Sequence, residues 1–246
     1  MSTNLVFMSG VLSKHELRYT PKGTPVLEVT LIGKRAIGHQ HIFSRADLTF
    51  YGKMAEHWAN DLVAGQAYQA TGRLVYEAWE ADGQKASRLR VVGDELYKLE
   101  NADVRQEEQG PVLYGAENRV ILSGGLTADP EIRQTPLKTP VVKAALGFSI
   151  WDASARQAKS HYVELEAWRE LAIQLAELKK GTPVLLEGAL KTEVWEDKET
   201  KSKHYKRVLE IQRVIPLARI RPAKQTQAKP AQVKRRSKTK QKSKAA

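Results

Sequence analysis

At 246 residues and 41% hydrophobic content, the chain is long enough for two small domains with modest cores. It has no cysteine, which excludes disulfides, thiolate metal sites and cysteine nucleophiles, and no apolar stretch approaches the roughly 20 residues that cross a bilayer. The net charge is +12, but ten of those charges lie between Arg221 and Ala246, where there is no Asp or Glu, leaving +2 for residues 1–220. The N-terminus lacks a charged segment followed by an apolar one, so a cytoplasmic location is expected.

Asn4 opens a segment reading N-L-V-F-M-S-G-V-L, followed by E-L-R-Y-T-P-K-G-T-P-V. Val26 to Leu31 is dense in β-branched and aliphatic residues and predicts a strand. After F-Y-G-K-M-A-E (50–56), Met54, Trp58 and Leu62 recur at helical spacing, with Gly65 as the stop. Trp58 is expected in the core. G-R-L-V-Y-E-A-W-E (72–80) then predicts a strand running into a polar turn near Gly83. Residues 101–117 are polar, contain Gly110-Pro111 and predict a linker, with Val112, Leu113 and Tyr114 as a lead-in strand.

From Asn118 the same order returns: N-R-V-I-L-S-G-G-L, then E-I-R-Q-T-P-L-K-T-P-V. Tyr162 to Leu165 alternates as a strand does, and Leu171, Leu175 and Leu178 mark a helix that stops at Gly181. G-A-L-K-T-E-V-W-E (188–196) repeats the late strand of the first copy. Matched landmarks stay 114 to 117 positions apart, too long for a solenoid unit and long enough for a domain. Each copy predicts three strands, one helix and two strands. That order suits an all-β fold with one short helix per domain, as two tandem five-stranded OB-fold barrels. A β-sandwich is the alternative, but it rarely places a helix at that point. The expected domains are residues 1–100 and 118–218, joined by the linker 101–117. Residues 219–246, rich in Lys, Gln, Ala, Ser and Thr, predict a disordered basic tail.

No P-loop, G-x-S-x-G or H-E-x-x-H pattern is present, and the six histidines are scattered, so no catalytic residues, metal ligands or cofactor are assigned. The aromatic residues carry more. Trp79 and Trp195 hold the same place in the two copies, each on a polar hairpin between the last two strands. A flat ring there suits stacking on an unpaired base. The alternative is packing at the hairpin root or a subunit contact. Tyr51 and Trp168 precede the two helices and either lie on the barrel face or turn inward. Arg73, Arg88 and Arg90 lie near Trp79 in sequence, and Lys191, Lys203, Lys206 and Arg207 near Trp195. Together they predict a cationic groove with stacking platforms, which single strands need because phosphates and base faces are both exposed.

These motifs, twice and in order, resemble the bacterial single-stranded-DNA-binding proteins, in the subclass with two OB-folds per chain. The matching elements are N-x-V-x-x-x-G-x-L, E-[LI]-R-x-T-P, F-Y-G-K-M-A-E, A-W-R-E-L-A (167–172) and K-G-T-P-V-L-L-E-G-A-L…W (180–195). The resemblance covers about residues 3–217. It implies binding of single-stranded DNA in replication, recombination and repair, a nucleoid-associated location, and a homodimer that brings four OB-folds together. It marks Trp79 and Trp195 as stacking residues of the hairpin arm, and Tyr51 and Trp168 as base-contacting aromatics. It adds Tyr162 and Trp151 as further stacking positions. Arg45 stands where copy two has Tyr162, and nothing replaces Trp151 in copy one, so copy two is expected to stack better. The family ends in an acidic peptide that recruits repair proteins; this chain ends K-T-K-Q-K-S-K-A-A, so recruitment is not implied. Lys234, Arg235, Arg236 and Lys238 are instead expected to contact the nucleic-acid backbone. A non-catalytic assembly scaffold and an RNA-binding OB protein remain the alternative functions.

Overall fold

The computed structural model describes residues 3–81, 83–152, 155–196 and 203–218; the side chains of residues 81, 84, 85, 203 and 204 lie outside that description. The first barrel is built from β1 (Asn4–Tyr19), β2 (Pro25–Ile37), β3 (Gln40–Tyr51), α1 (Lys53–Asp61), β4 (Ala67–Ala81) and β5 (Gln84–Lys98). β1 pairs with both β2 and β4, β2 with β3, β3 with β5 in parallel, and β5 with β4, so the five strands close on themselves. On β2, Leu27, Val29 and Leu31 are buried while Glu28 is exposed, the alternation of a strand with one face to a core.

The second barrel uses β8 (Asn118–Leu126), β9 (Glu131–Gln134), β10 (Pro140–Asp152), β11 (Gln157–Trp168), α2 (Glu170–Ala176), β12 (Pro183–Glu196) and β13 (Lys203–Pro216). It closes by the same pairings. One difference is that the long β1 of the first copy is broken into β8 and β9 by the Asp129-Pro130 step, where a proline cannot donate to the ladder. The motif glycines Gly10 and Gly124 sit where another backbone crosses closely: a Cβ would meet the Ile32 nitrogen at 2.7 Å and the Gly147 oxygen at 2.3 Å.

Within residues 101–117, the expected lead-in strand at Val112–Tyr114 is present as part of a longer element. The segment folds as a hairpin of β6 (Val104–Glu107) and β7 (Gly110–Tyr114), and β7 pairs in parallel with β2 through Leu113 and Tyr114. Leu113 and Ala116 pack with Val11 and Ala67 in a small apolar cluster, and Tyr114 lies under the Arg105 guanidinium at 4.0 Å. The partner strand β6 was hidden because its residues are almost wholly exposed and carry no apolar pattern.

β1 also pairs with β8 in antiparallel register, from Asn4 with Leu122 to Met8 with Asn118. The two barrels therefore share one continuous sheet, and their buried residues form one contiguous cluster that includes the cross-strand partners Val6 and Val120. The asparagine that opens each copy has the same task. Asn4 donates to the Leu74 carbonyl and accepts from its N–H, both at 2.9 Å. Asn118 does the same with Leu190, again at 2.9 Å twice. Each amide satisfies backbone groups two residues past a ladder irregularity, at Thr71/Gly72 and Glu187/Gly188.

Candidate nucleic-acid interface

The β4–β5 and β12–β13 ladders run past the barrels as two-stranded arms, paired out to Ala81–Gln84 and Glu196–Lys203. Trp79 lies opposite Ala86, two ladder steps from the arm's end, and is 44% exposed. Trp195 lies opposite His204 and is 48% exposed. Neither ring is at the hairpin root. The Arg88 guanidinium sits 5.4 Å from the centre of the Trp79 ring, leaving a large part of the indole open to solvent.

Tyr51 and Trp168 both lie on outward faces at the ends of β3 and β11. Tyr51 is partly exposed, and its hydroxyl accepts a 2.8 Å hydrogen bond from Arg90 Nη1. Trp168 is half-buried and its indole N–H donates to Glu166. Burial raises the Glu166 carboxyl, but Lys191, Trp168 and Lys143 outweigh it, and the group titrates below its ordinary value. Trp151 projects from β10 opposite Ala158 and is among the most exposed aromatics. Tyr162 is half-exposed on β11, its ring edge-on to Tyr76 of the other barrel at 5.9 Å.

Several of the basic residues expected to form a cationic groove are engaged in ion pairs. Arg88 pairs with Glu77 at 2.9 Å, Lys191 with Glu166 at 3.0 Å and Lys206 with Glu164 at 2.5 Å. Arg73 pairs with Asp94 and does not line the cleft described below. Arg90 is buried, bonded to Tyr51 and paired with Glu77 at 3.1 Å, and so fixes the aromatic ring rather than presenting a charge. Arg207 is committed to the barrel–barrel contact: Nη2 donates to Asp47 Oδ2 at 3.2 Å and Nη1 to the Leu89 carbonyl at 3.3 Å. Burial pulls its guanidinium below the ordinary range, against the pull of Asp47. The exposed pairs are each worth about 0–1 kcal/mol, so a phosphate can displace the carboxylate at small cost. The Lys203 side chain and the tail residues Lys234, Arg235, Arg236 and Lys238 lie outside the described residues.

Between the barrels lies a cleft of about 1410 Å³, bounded by β2, β3 and the β4–β5 arm on one side and by β11 and the β12–β13 arm on the other. Three of its aromatic residues are absent from the sequence expectations: Phe43, Tyr76 and Tyr205. Phe43 lies two residues before Arg45 on β3, a displacement that position-by-position comparison of the copies does not reveal. The strand pairing Val194–Tyr205 puts Tyr205 on the Trp195 arm. Among the described residues, no helix is long and apolar enough to cross a membrane.

A family model described as the single-strand binding protein family matches residues 3–99 and again 117–217. The single-stranded DNA-binding protein of Thermus thermophilus is 35% identical over 201 residues, covering 78% of this chain and 75% of that protein. That of Deinococcus radiodurans is 37% identical over 231 residues, covering 88% and 76%. The crystal structure of the wild-type single-stranded DNA binding protein from Thermus aquaticus superposes with a TM-score of 0.71 at 32% identity, over 90% of this chain and 96% of that one. With two matches that take in both barrels and leave out the β6–β7 hairpin, the chain belongs to the single-strand binding protein family.

Proposed function

We propose that this protein binds single-stranded DNA with little regard to sequence and without catalysis, and protects strands exposed in replication, recombination and repair in a bacterial, nucleoid-associated setting. The observation that carries this is the pair of half-exposed tryptophans, Trp79 and Trp195, on equivalent arms of two OB barrels. Stacking on such a ring is worth about 1–3 kcal/mol per base. Trp151, Trp168, Tyr162 and Tyr51 extend the stacking surface, and Arg88, Lys191, Lys203 and Lys206 meet phosphates between them. The basic tail adds further phosphate contacts through Lys234, Arg235, Arg236 and Lys238. The names of the relatives from Thermus and Deinococcus support the choice of polymer.

A homodimer supplies four barrels. Leu5, Ile121, Leu185 and Ile215 share one outer face of the continuous sheet and offer an apolar surface for a second copy.

Titration with oligo-dT, followed by tryptophan fluorescence, tests the reading: quenching and tight low-salt binding are expected, and the absence of both sinks it. The salt dependence should have a logarithmic slope of roughly −0.7 per phosphate neutralised, and deleting residues 222–246 should flatten it. Competition between matched DNA and RNA oligomers decides the polymer. Trp79→Ala with Trp195→Ala separates strand binding from assembly, since loss of the dimer without loss of affinity would favour a scaffold.

A further inference from the structure

The inter-barrel cleft has two unlike halves. In one, β11 faces the β4–β5 arm, and Tyr162 and Tyr76 meet edge-on at 5.9 Å. Tyr76 is further fixed by its backbone, since its N–H and carbonyl both lie within 3.1 Å of His161 Nδ1. The rings of that half are in contact with each other.

In the other half, β3 faces the β12–β13 arm. Residues two apart share a strand face, so Phe43, Arg45 and Asp47 line one side of β3, and Tyr205 and Arg207 one side of β13. Those two sides meet where Arg207 donates to Asp47 at 3.2 Å. Phe43 lies four residues out from that contact and Tyr205 two residues out, and both line the cleft. They are 55% and 67% exposed, and neither ring stacks on another aromatic among the described residues. Barrel two has Ser160 at the place of Phe43, and barrel one has Ser87 at the place of Tyr205, so this half collects an aromatic from each copy. Lys34, paired with Phe43, shares its face of the β2–β3 ribbon, whereas Arg35, paired with Ile42, lines the cleft from the opposite face.

We propose that this half-cleft is a stacking site for unpaired bases, with Phe43 and Tyr205 as its two aromatic surfaces. The site is separate from the tryptophan arms' outer faces and rests on the single-stranded-DNA reading given above. It supplies barrel one with the β3 aromatic that Arg45 lacks, displaced by about 7 Å along the strand.

The test uses the full-length protein. Phe43→Leu and Tyr205→Leu keep apolar bulk at exposed positions and remove only the flat ring. Each should weaken binding of fluorescein-labelled oligo-dT by about fivefold or more in anisotropy titrations, with the salt slope unchanged. Independently, wild-type protein cross-linked to 5-bromouracil-substituted oligomer should yield adducts at Phe43 or Tyr205. Unchanged affinity in both variants, or cross-links confined to other residues, overturns the site while leaving strand binding intact. A wild-type protein that fails to bind oligo-dT at low salt overturns the single-stranded-DNA reading itself, and this site with it.

Discussion

The two barrels share strand order, closure and the position of the arm tryptophan, yet they solve the same surface differently. Beside its β3 aromatic, barrel one has Glu28, Arg90 and Glu77 around Tyr51; barrel two has Lys143, Glu166, Lys191 and Glu193 around Trp168. Glu28 on β2 gives way to Lys143 on β10 while Glu77 on β4 is matched by Glu193 on β12, and each set satisfies a buried charged group, Arg90 on β5 in one and Glu166 on β11 in the other. Duplication thus conserved the demand that a buried charge be paired, and left free which strand carries which sign.

Removal of the opening asparagines should break the comparison most strongly. Asn118 is buried and also donates to Ser44 at 3.3 Å, so Asn118→Ala should cost about 2–3 kcal/mol, whereas the part-exposed Asn4 should cost about 1–2 when changed to Ala. Denaturant unfolding measures both; equal losses would show that the added Ser44 bond contributes nothing.

The β3 faces come next. Tyr162→Ala should weaken oligo-dT binding by about 1–2 kcal/mol, while Arg45→Ala should change mainly the salt slope. Arg45 is held at 3.0 Å by Asp47, and its loss leaves no ring vacancy. A Tyr162→Ala variant with wild-type affinity would remove the claim that barrel two is the richer stacking surface.

A smaller effect concerns the residue before each helix. Gly52 has φ 63° and its counterpart Arg169 has φ 54°, a backbone region costly for any residue with a Cβ. Arg169→Gly should therefore stabilise barrel two by about 1 kcal/mol, and Gly52→Arg should destabilise barrel one by a similar amount. Thermal unfolding of the two variants checks the opposite signs.

The smallest effect is expected from His161, whose place in barrel one is taken by Ser44. Burial, aided by Lys159, lowers its imidazole below the ordinary value against the Tyr76 backbone hydrogen bond. The unfolded chain therefore binds the proton more readily. Stability from this group is complete above about pH 6.5 and falls as pH drops toward the folded value. His161→Gln should remove that slope between neutral pH and the carboxylate range. Glu28, held low by Arg18, and Glu166 act further down, losing their stabilisation only as pH falls through the depressed carboxylate values.

Much of the fold was legible because it is local. The β-branched and aliphatic density of Val26–Leu31, the helix spacing of Met54 and Trp58, and the polar turn after Trp79 each report on near neighbours. Reading the repeat gave the arm tryptophans and the uneven aromatics. It gave β7 as a lead-in strand but missed its partner β6, whose four mostly exposed residues carry no periodicity signal. Arg90 and Arg207 do line the cleft, but nearness in sequence to a tryptophan does not reveal that Tyr51 and Asp47, some 40 and 160 residues away, engage them.

The sequence by itself determined two OB barrels with equivalent tryptophan arms, because strand period, helix spacing and turn chemistry act over a few residues and are written twice. Only the tertiary structure decided which charges are open and which are engaged, and that Phe43 and Tyr205 line a common cleft. Those outcomes depend on the β1–β8 pairing, which sets one barrel's arm against the other's β3 face, and no local pattern encodes the register between two separately closed sheets.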